Sequence, residues 1–222
     1  MLRFGLLLIL PAAGLLAQTQ GSGTVQATGT ATVSVAPDQA QLTVGVITQG
    51  ATAQDAAQQN ATQTAAMLTA LKSVLGNNGT VQTVGYSVSP RYNNSQTPTV
   101  IGYTASNTVQ VTTINLNLAG PLIDAANGAG ANNISGINFS LQDPDPVLLQ
   151  ALSKASRQAL VHAGAIAQGL GAKTGAVVSA QEGSRVTPVF GDVGAAAPTT
   201  TPVQTGTVSV SATVTVTVQL VQ

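Results

Sequence analysis

The chain is 222 residues long, 44% hydrophobic, 6% charged and 3% aromatic, with 7 basic and 7 acidic side chains. That length holds one or two domains, and the balanced charge leaves no broad basic face to track a phosphate backbone, so nucleic acid is not an expected partner. There is no cysteine, and His162 and Glu182 are the single histidine and the single glutamate. This excludes disulfides, thiolate metal sites and cysteine nucleophiles, and it points away from an enzyme.

Residues 1–20 read MLRFGLLLILPAAGLLAQTQ, with Arg3 ahead of an apolar run from Phe4 to Leu16 that Pro11 interrupts. A bilayer span needs about 20 apolar residues, so this shorter run reads as the core of a signal peptide, residues 1–17, cleaved after Ala17. No later segment is apolar and long enough to span. The mature chain is expected to be exported, periplasmic or secreted, and at about 205 residues it can bury a core without covalent staples.

From Val25 to Val35 apolar and hydroxylic residues alternate, the period of a strand with one buried face. Ala36-Pro37-Asp38 reads as a turn into a second strand, Ala40–Thr48, which implies a hairpin. Thr52 and Asp55 are spaced as a capping box. They open a helix whose stripe is Ala57, Ala61, Thr64, Met67, Leu68, Leu71, Val74 and Leu75, and which Gly76 and Asn77-Asn78-Gly79 end. A third strand, about Val81–Ser89, leads through a polar loop, Pro90–Thr99, to a fourth from Val100 to Leu118. A short helix, Pro121–Ala126, precedes Gly128 and Gly130, and Ile134–Leu141 reads as a fifth strand.

Asp145-Pro146 is a compact helix start, with the carboxylate expected as cap. The long helix Val147–Leu170 carries Leu148, Leu152, Ala155, Ala159, Ala163, Ile166 and Leu170 on one face and Gln150, Arg157 and Gln168 opposite. Ala176–Gln181 is a sixth strand. Residues 186–204, VTPVFGDVGAAAPTTTPVQ, have no period and read as a flexible loop. Thr207–Leu220 is the cleanest strand, with Val208, Val210, Ala212, Val214, Val216, Val218 and Leu220 facing one way. Hairpins mixed with helices favour α+β: an antiparallel or mixed sheet of about seven strands, with two long helices and one short one packed on it.

Several stretches in order resemble one family: TGTATVSVAPDQAQLTVGV (28–46), YSVSPRY (86–92), GYTASNTVQV (102–111), LIDAANGAGANNISGINFSL (122–141) and GAKTGAV (171–177). On these the chain is similar to the SIMPL-domain family of exported bacterial proteins, which includes periplasmic oxidative-stress-defence proteins and outer-membrane immunogenic antigens. The resemblance spans 24–222 and implies an α+β domain, homo-oligomers in some members, and no established catalytic residues. The long helix departs from it: KASRQALVHAGAIA carries less charge than its counterparts in relatives.

The residues themselves offer little chemistry. His162 lies on the flank of its helix stripe with no acid at helical spacing, so it reads as structural rather than as a ligand or general base. A serine–histidine–aspartate triad needs no adjacency in sequence, but no GxSxG elbow occurs. Asp143-Pro144-Asp145-Pro146 lacks the further oxygen ligands of a calcium loop. Asp38 with Pro37 is read as a turn, and Gly128-Ala129-Gly130 as a helix stop rather than a phosphate loop. Tyr86, Tyr92 and Tyr103 bracket the 90–99 loop and read as core residues with hydroxyl partners, with a partner-binding patch as the alternative. No catalytic, cofactor-binding or metal-ligating residue is assigned.

The expectation is a non-enzymatic, exported, self-associating protein of the periplasm or envelope, serving envelope maintenance or oxidative-stress protection. Its partner would be itself, with envelope or outer-membrane association a further possibility and no nucleic acid. Two alternatives stand beside it: an outer-membrane β-barrel, and a hydrolase or lectin-like binding protein with an unrecognised site.

Overall fold

A computed structural model of the chain describes residues 23–189 and 201–222, so the signal segment read at 1–17 lies outside the described residues. These form seven strands and three α-helices: β1 (Thr24–Val35), β2 (Gln39–Gly50), α1 (Ala53–Leu75), β3 (Gly79–Tyr92), β4 (Val100–Thr113), α2 (Ala119–Gly128), β5 (Asn133–Ser140), α3 (Asp145–Gly169), β6 (Lys173–Val189) and β7 (Thr207–Val221). The fold is α+β, as expected. The strands lie in two open antiparallel sheets, ordered β1-β7-β6 and β3-β4-β2-β5. That arrangement is neither one seven-stranded sheet nor a closed barrel.

The two sheets repeat one path. In the second, β2-α1-β3-β4 runs strand, helix, hairpin, and the returning strand β4 pairs with β2. In the first, β1-α3-β6-β7 does the same, with β7 returning onto β1, and everything from β2 to β5 is inserted between β1 and α3. In both units the first strand of the hairpin, β3 or β6, ends as an edge.

This topology corrects the hairpin expected of the first two strands. β1 pairs along its whole length with β7, from Thr24↔Gln219 to Val35↔Val208, while β2 pairs with β4 and β5. Alternation reports which face is buried, not which strand lies alongside. The residues 36–38 serve as a connection between sheets. The Asp38 amide donates to the Ser140 carbonyl at 3.1 Å, and its carboxylate accepts from the Gln142 amide at 2.7 Å.

α3 lies on the first sheet through an unbroken alanine stripe, Ala151, Ala155, Ala159, Ala163 and Ala167, each fully buried. It faces Val25, Ala27, Val33 and the β7 row Ala212, Val214, Val216 and Val218. Of the stripe read from sequence, Ala155, Ala159 and Ala163 are in this core, and Leu148 and Leu152 pack against it half-buried. Ile166 (41% exposed) and Leu170 (67%) are outside it. Small side chains let the helix come close enough that glycine is required beneath it. A Cβ on Gly29 would stand 2.1 Å from the Ala155 carbonyl oxygen and 2.4 Å from the Ala159 nitrogen.

α1 covers the second sheet. Met67, Leu71 and Leu75 join Leu42, Val44, Val46, Val109 and Val111, with Leu122 and Ala126 of α2 closing the cluster. Thr52 accepts from the Asp55 amide and donates to its carboxylate, and Gly76, at φ +55°, ends the helix. The first half of the α1 stripe sits one residue earlier than expected. Ala56 and Asn60 are buried, and Ala61 is exposed.

Other boundaries shift for local reasons. β3 runs on through Pro90 to Tyr92, leaving a seven-residue turn at 93–99 that the Asn93 side chain holds through Thr99. β4 stops at Thr113 rather than Leu118, because the Thr113 hydroxyl donates to the Asn78 carbonyl and Asn115 caps a 3-10 turn, Leu116–Leu118. Asp145 is the first residue of α3 rather than its cap; its own amide donates to the Asp143 carboxylate. Of the loop expected at 186–204, residues 186–189 continue β6 against β7, and 190–200 lie outside the described residues. Thr201 donates to Asp124 of α2 through both amide and hydroxyl, and Val203 packs on the small cluster Ala40, Ala119 and Phe139.

Candidate functional site

The single imidazole has a structural position. His162 Nδ1 lies 2.8 Å from the carbonyl oxygen of Thr28, and one turn earlier Gln158 Oε1 accepts from the Thr30 amide at 2.6 Å. Both side chains sit on the α3 flank facing the outer edge of β1. Residues i and i+4 of a helix share a flank, and alternate residues of an edge strand turn their amide and carbonyl outward. The two periods meet here. His162 and Gln158 fill hydrogen-bonding positions that a neighbouring strand would otherwise take.

The acids are dispersed. Among the described residues no group of three or more histidines, aspartates or glutamates is placed to share a metal ion. Asp38 and Asp143 accept from backbone amides at element junctions, Asp55 partners the cap of α1, and Asp124 holds Thr201. Glu182 stands exposed on β6. Asp143 and Asp145 therefore belong to the approach to α3, and His162 faces β1 rather than an acid.

Two of the three tyrosines differ from expectation, while Tyr103 on β4 is half-buried. Tyr86 is 58% and Tyr92 55% exposed on β3, so neither is a core residue. A bulge between Thr83 and Gly85 places Tyr86 opposite Asn107 and Val88 opposite Ala105. Ala105 is fully buried under α1, but β3 lies one strand further out, and Tyr86 and Val88 on it are left exposed.

Two asparagines carry polar structure that periodicity did not reveal. Asn60, fully buried, donates to the carbonyls of Val46 (2.8 Å) and Ala105 (3.2 Å) and accepts from Thr64. It ties α1 to β2 and β4 at once. Asn132 donates to the Ile47 carbonyl and accepts from the Ile47 amide, both at 2.7 Å, so its carboxamide extends the β2 edge beyond β5 as a strand residue would. Nearby on β4, the Asn107 carboxamide oxygen is buried without a protein partner. A hollow of about 540 Å³ opens at the end of α3 among Gly164, Gln168, Gly171, Lys173, Thr174 and Gln222. Lys173 is the one charged side chain among the residues that line it.

The SIMPL family, described as a protein of unknown function, matches residues 25–218. The 26 kDa periplasmic immunogenic protein of Brucella melitensis biotype 1 is 28% identical over 167 residues, 72% of this chain and 67% of that protein. The protein of the same name from Brucella abortus strain S19 matches with the same identity and coverage.

Proposed function

The chain belongs to the SIMPL family, and from that premise we propose that it is an exported, non-catalytic protein of the periplasm or envelope that works by self-association. Envelope maintenance or protection against oxidative stress is its role in this reading. The observation that carries the non-catalytic part is the engagement of His162 with the Thr28 carbonyl. The single imidazole of the chain thereby helps to hold a helix against a strand. Export is supported by the leader-like residues 1–17 and by the periplasmic naming of the Brucella relatives. In keeping with this, no helix among the described residues is long and apolar enough to cross a membrane.

The test combines location, mass and a variant. In the native host, osmotic-shock fractions should contain a chain starting near Gln18, and light scattering should give a species larger than a dimer. A strain lacking the gene should regain peroxide tolerance equally well with the wild type and with His162→Ala. A folded, exported His162→Ala protein that fails to restore tolerance overturns the non-catalytic reading, and a monomeric wild type overturns self-association.

A further inference from the structure

Each of the two strand-helix-hairpin units is packed on its own. α3 lies on β1, β6 and β7, and α1 lies on β2, β3 and β4; neither helix packs on the sheet of the other unit. The core under α3 and the core under α1 have no residue in common. Units that share no sizeable apolar interface move relative to one another unless something ties them.

The register shows where they are joined. Val35 stands opposite Val208 at one end of the first sheet, and Val189 stands opposite Thr207 at that same end. α3 runs antiparallel to β1, since Gln158 reaches Thr30 and His162 reaches Thr28, so Asp145 begins the helix there too. In the second sheet Gln39 and Ser140 pair at an end. The units therefore meet end to end, through residues 36–38 and 141–144. These two connections lie side by side. The Asp38 amide donates to the Ser140 carbonyl, and the Asp38 carboxylate accepts from the Gln142 amide at 2.7 Å. Two short chains bonded in this way bend as one strip, a few residues absorbing the change in φ and ψ.

A third crossing, residues 201–206, comes off the second unit and leads into β7. Thr201 and Val203 are half-buried while Pro202 and Gln204 are exposed, so the segment is fastened at alternate residues. Thr201 donates to the Asp124 carboxylate of α2 through its amide at 3.3 Å and its hydroxyl at 2.5 Å. Val203 sits on Ala40, Ala119 and Phe139, a small cluster at the Gln39 end of the second sheet. Gly206, at φ +61°, then turns the chain into β7.

We propose that residues 36–38 and 141–144 form a hinge between the units and that residues 201–206 are the clasp that holds it closed. The clasp is fixed to α2 of one unit and continuous with β7 of the other, so a bend that separates Asp124 from Thr207 must release it. Its fastening is two hydrogen bonds and one half-buried valine, weak enough to open while both cores stay folded. Release also bares Ala40, Ala119 and Phe139, so bending and the exposure of that apolar surface are one event. The device depends neither on self-association nor on catalysis.

The experiment measures the distance between the units in the full mature chain. The chain has no cysteine, so nitroxide labels at Gln63→Cys on α1 and Gln150→Cys on α3, both exposed positions, report alone. Labelled chains are diluted into an excess of unlabelled ones, which confines the signal to pairs within one chain. Pulsed electron paramagnetic resonance should give one narrow distribution for the clasped protein. Asp124→Ala with Val203→Ser should shift and broaden it, because the loss of two hydrogen bonds alone lowers the ratio of clasped to open chains by about ten- to a hundredfold. Binding of anilinonaphthalene sulfonate should rise in the same variant. A control pair within α3, Gln150→Cys and Gln168→Cys, should keep its distance. A variant distribution as narrow and as placed as the wild type would show that the waist is rigid without the clasp. A wild type already as broad as the variant would show that residues 201–206 hold nothing, and either result overturns the proposal. Should the control pair or the circular dichroism change, Thr201→Val, which leaves both cores intact, takes the place of the double variant and is read in the same way.

Discussion

Gly29→Ala measures how closely α3 is set on its sheet. The added methyl would lie 2.1 Å from the Ala155 oxygen, 2.4 Å from the Ala159 nitrogen and 3.1 Å from its Cα. All three are backbone atoms, so no side chain can rotate out of the way. Relief requires moving the helix off β1 by more than about 1 Å, because the nearest atom must go from 2.1 Å to an ordinary contact of about 3.5 Å. That motion loosens the alanine stripe and stretches the Gln158 and His162 bonds to Thr30 and Thr28. Overpacking of this kind costs about 1–3 kcal/mol, and weakening two hydrogen bonds adds about 1–2 kcal/mol. The sum, about 2–5 kcal/mol, is a large part of a typical stability of about 5–15 kcal/mol, and for a chain of this size it lowers Tm by about 4–20 °C. Gly164, on the same helix, has nothing within 4 Å of the position of an added Cβ, so Gly164→Ala should be neutral or raise stability by up to about 1 kcal/mol. Chemical denaturation followed by circular dichroism gives both values, and amide exchange at Thr30 reports the edge directly. A Gly29→Ala protein within about 0.5 kcal/mol of wild type, the range of an innocuous surface change, would refute the close approach.

Asn60→Ala should cost about 2–4 kcal/mol in urea denaturation, because the Val46 and Ala105 carbonyls lose a buried donor and Thr64 its acceptor; a loss under 1 kcal/mol would mean that these groups find other partners. Ala159→Asp should leave no folded protein by circular dichroism, since it sets a carboxylate under α3 at a fully buried position. Ile166→Asp, at 41% exposure on the same helix, should cost no more than about 1 kcal/mol, and equal damage from the two would refute the register assigned to the stripe. Asp124→Ala should release Thr201 and raise the rate of limited proteolysis near residue 201 without altering Tm by more than about 3 °C.

The elements of this protein were legible one by one. Strict alternation in Val25–Val35 and Thr207–Leu220 marked two strands and their buried faces, Thr52 with Asp55 marked the start of α1, and Gly76 its end. Their partners were not legible, because a period of two is satisfied by any neighbour on either edge. β1 therefore looked like half of a hairpin with β2, when its partner is β7, more than 170 residues away. The stripe on α3 misled for a related reason. Hydrophobicity ranks Ile166 and Leu170 above alanine, yet the backbone contact over Gly29 leaves room for methyl groups alone, and the larger side chains are left at the margin. His162 could be read as structural from the lack of acids nearby, but its bond to Thr28 belongs to the way α3 crosses β1. The exposure of Tyr86 and Tyr92 and the burial of Asn60 likewise appear only when the strands are laid side by side. Composition and periodicity act within one segment and so determined the elements and their faces; pairing, depth and edge exposure depend on atoms far apart in the chain, and only the tertiary structure decided them.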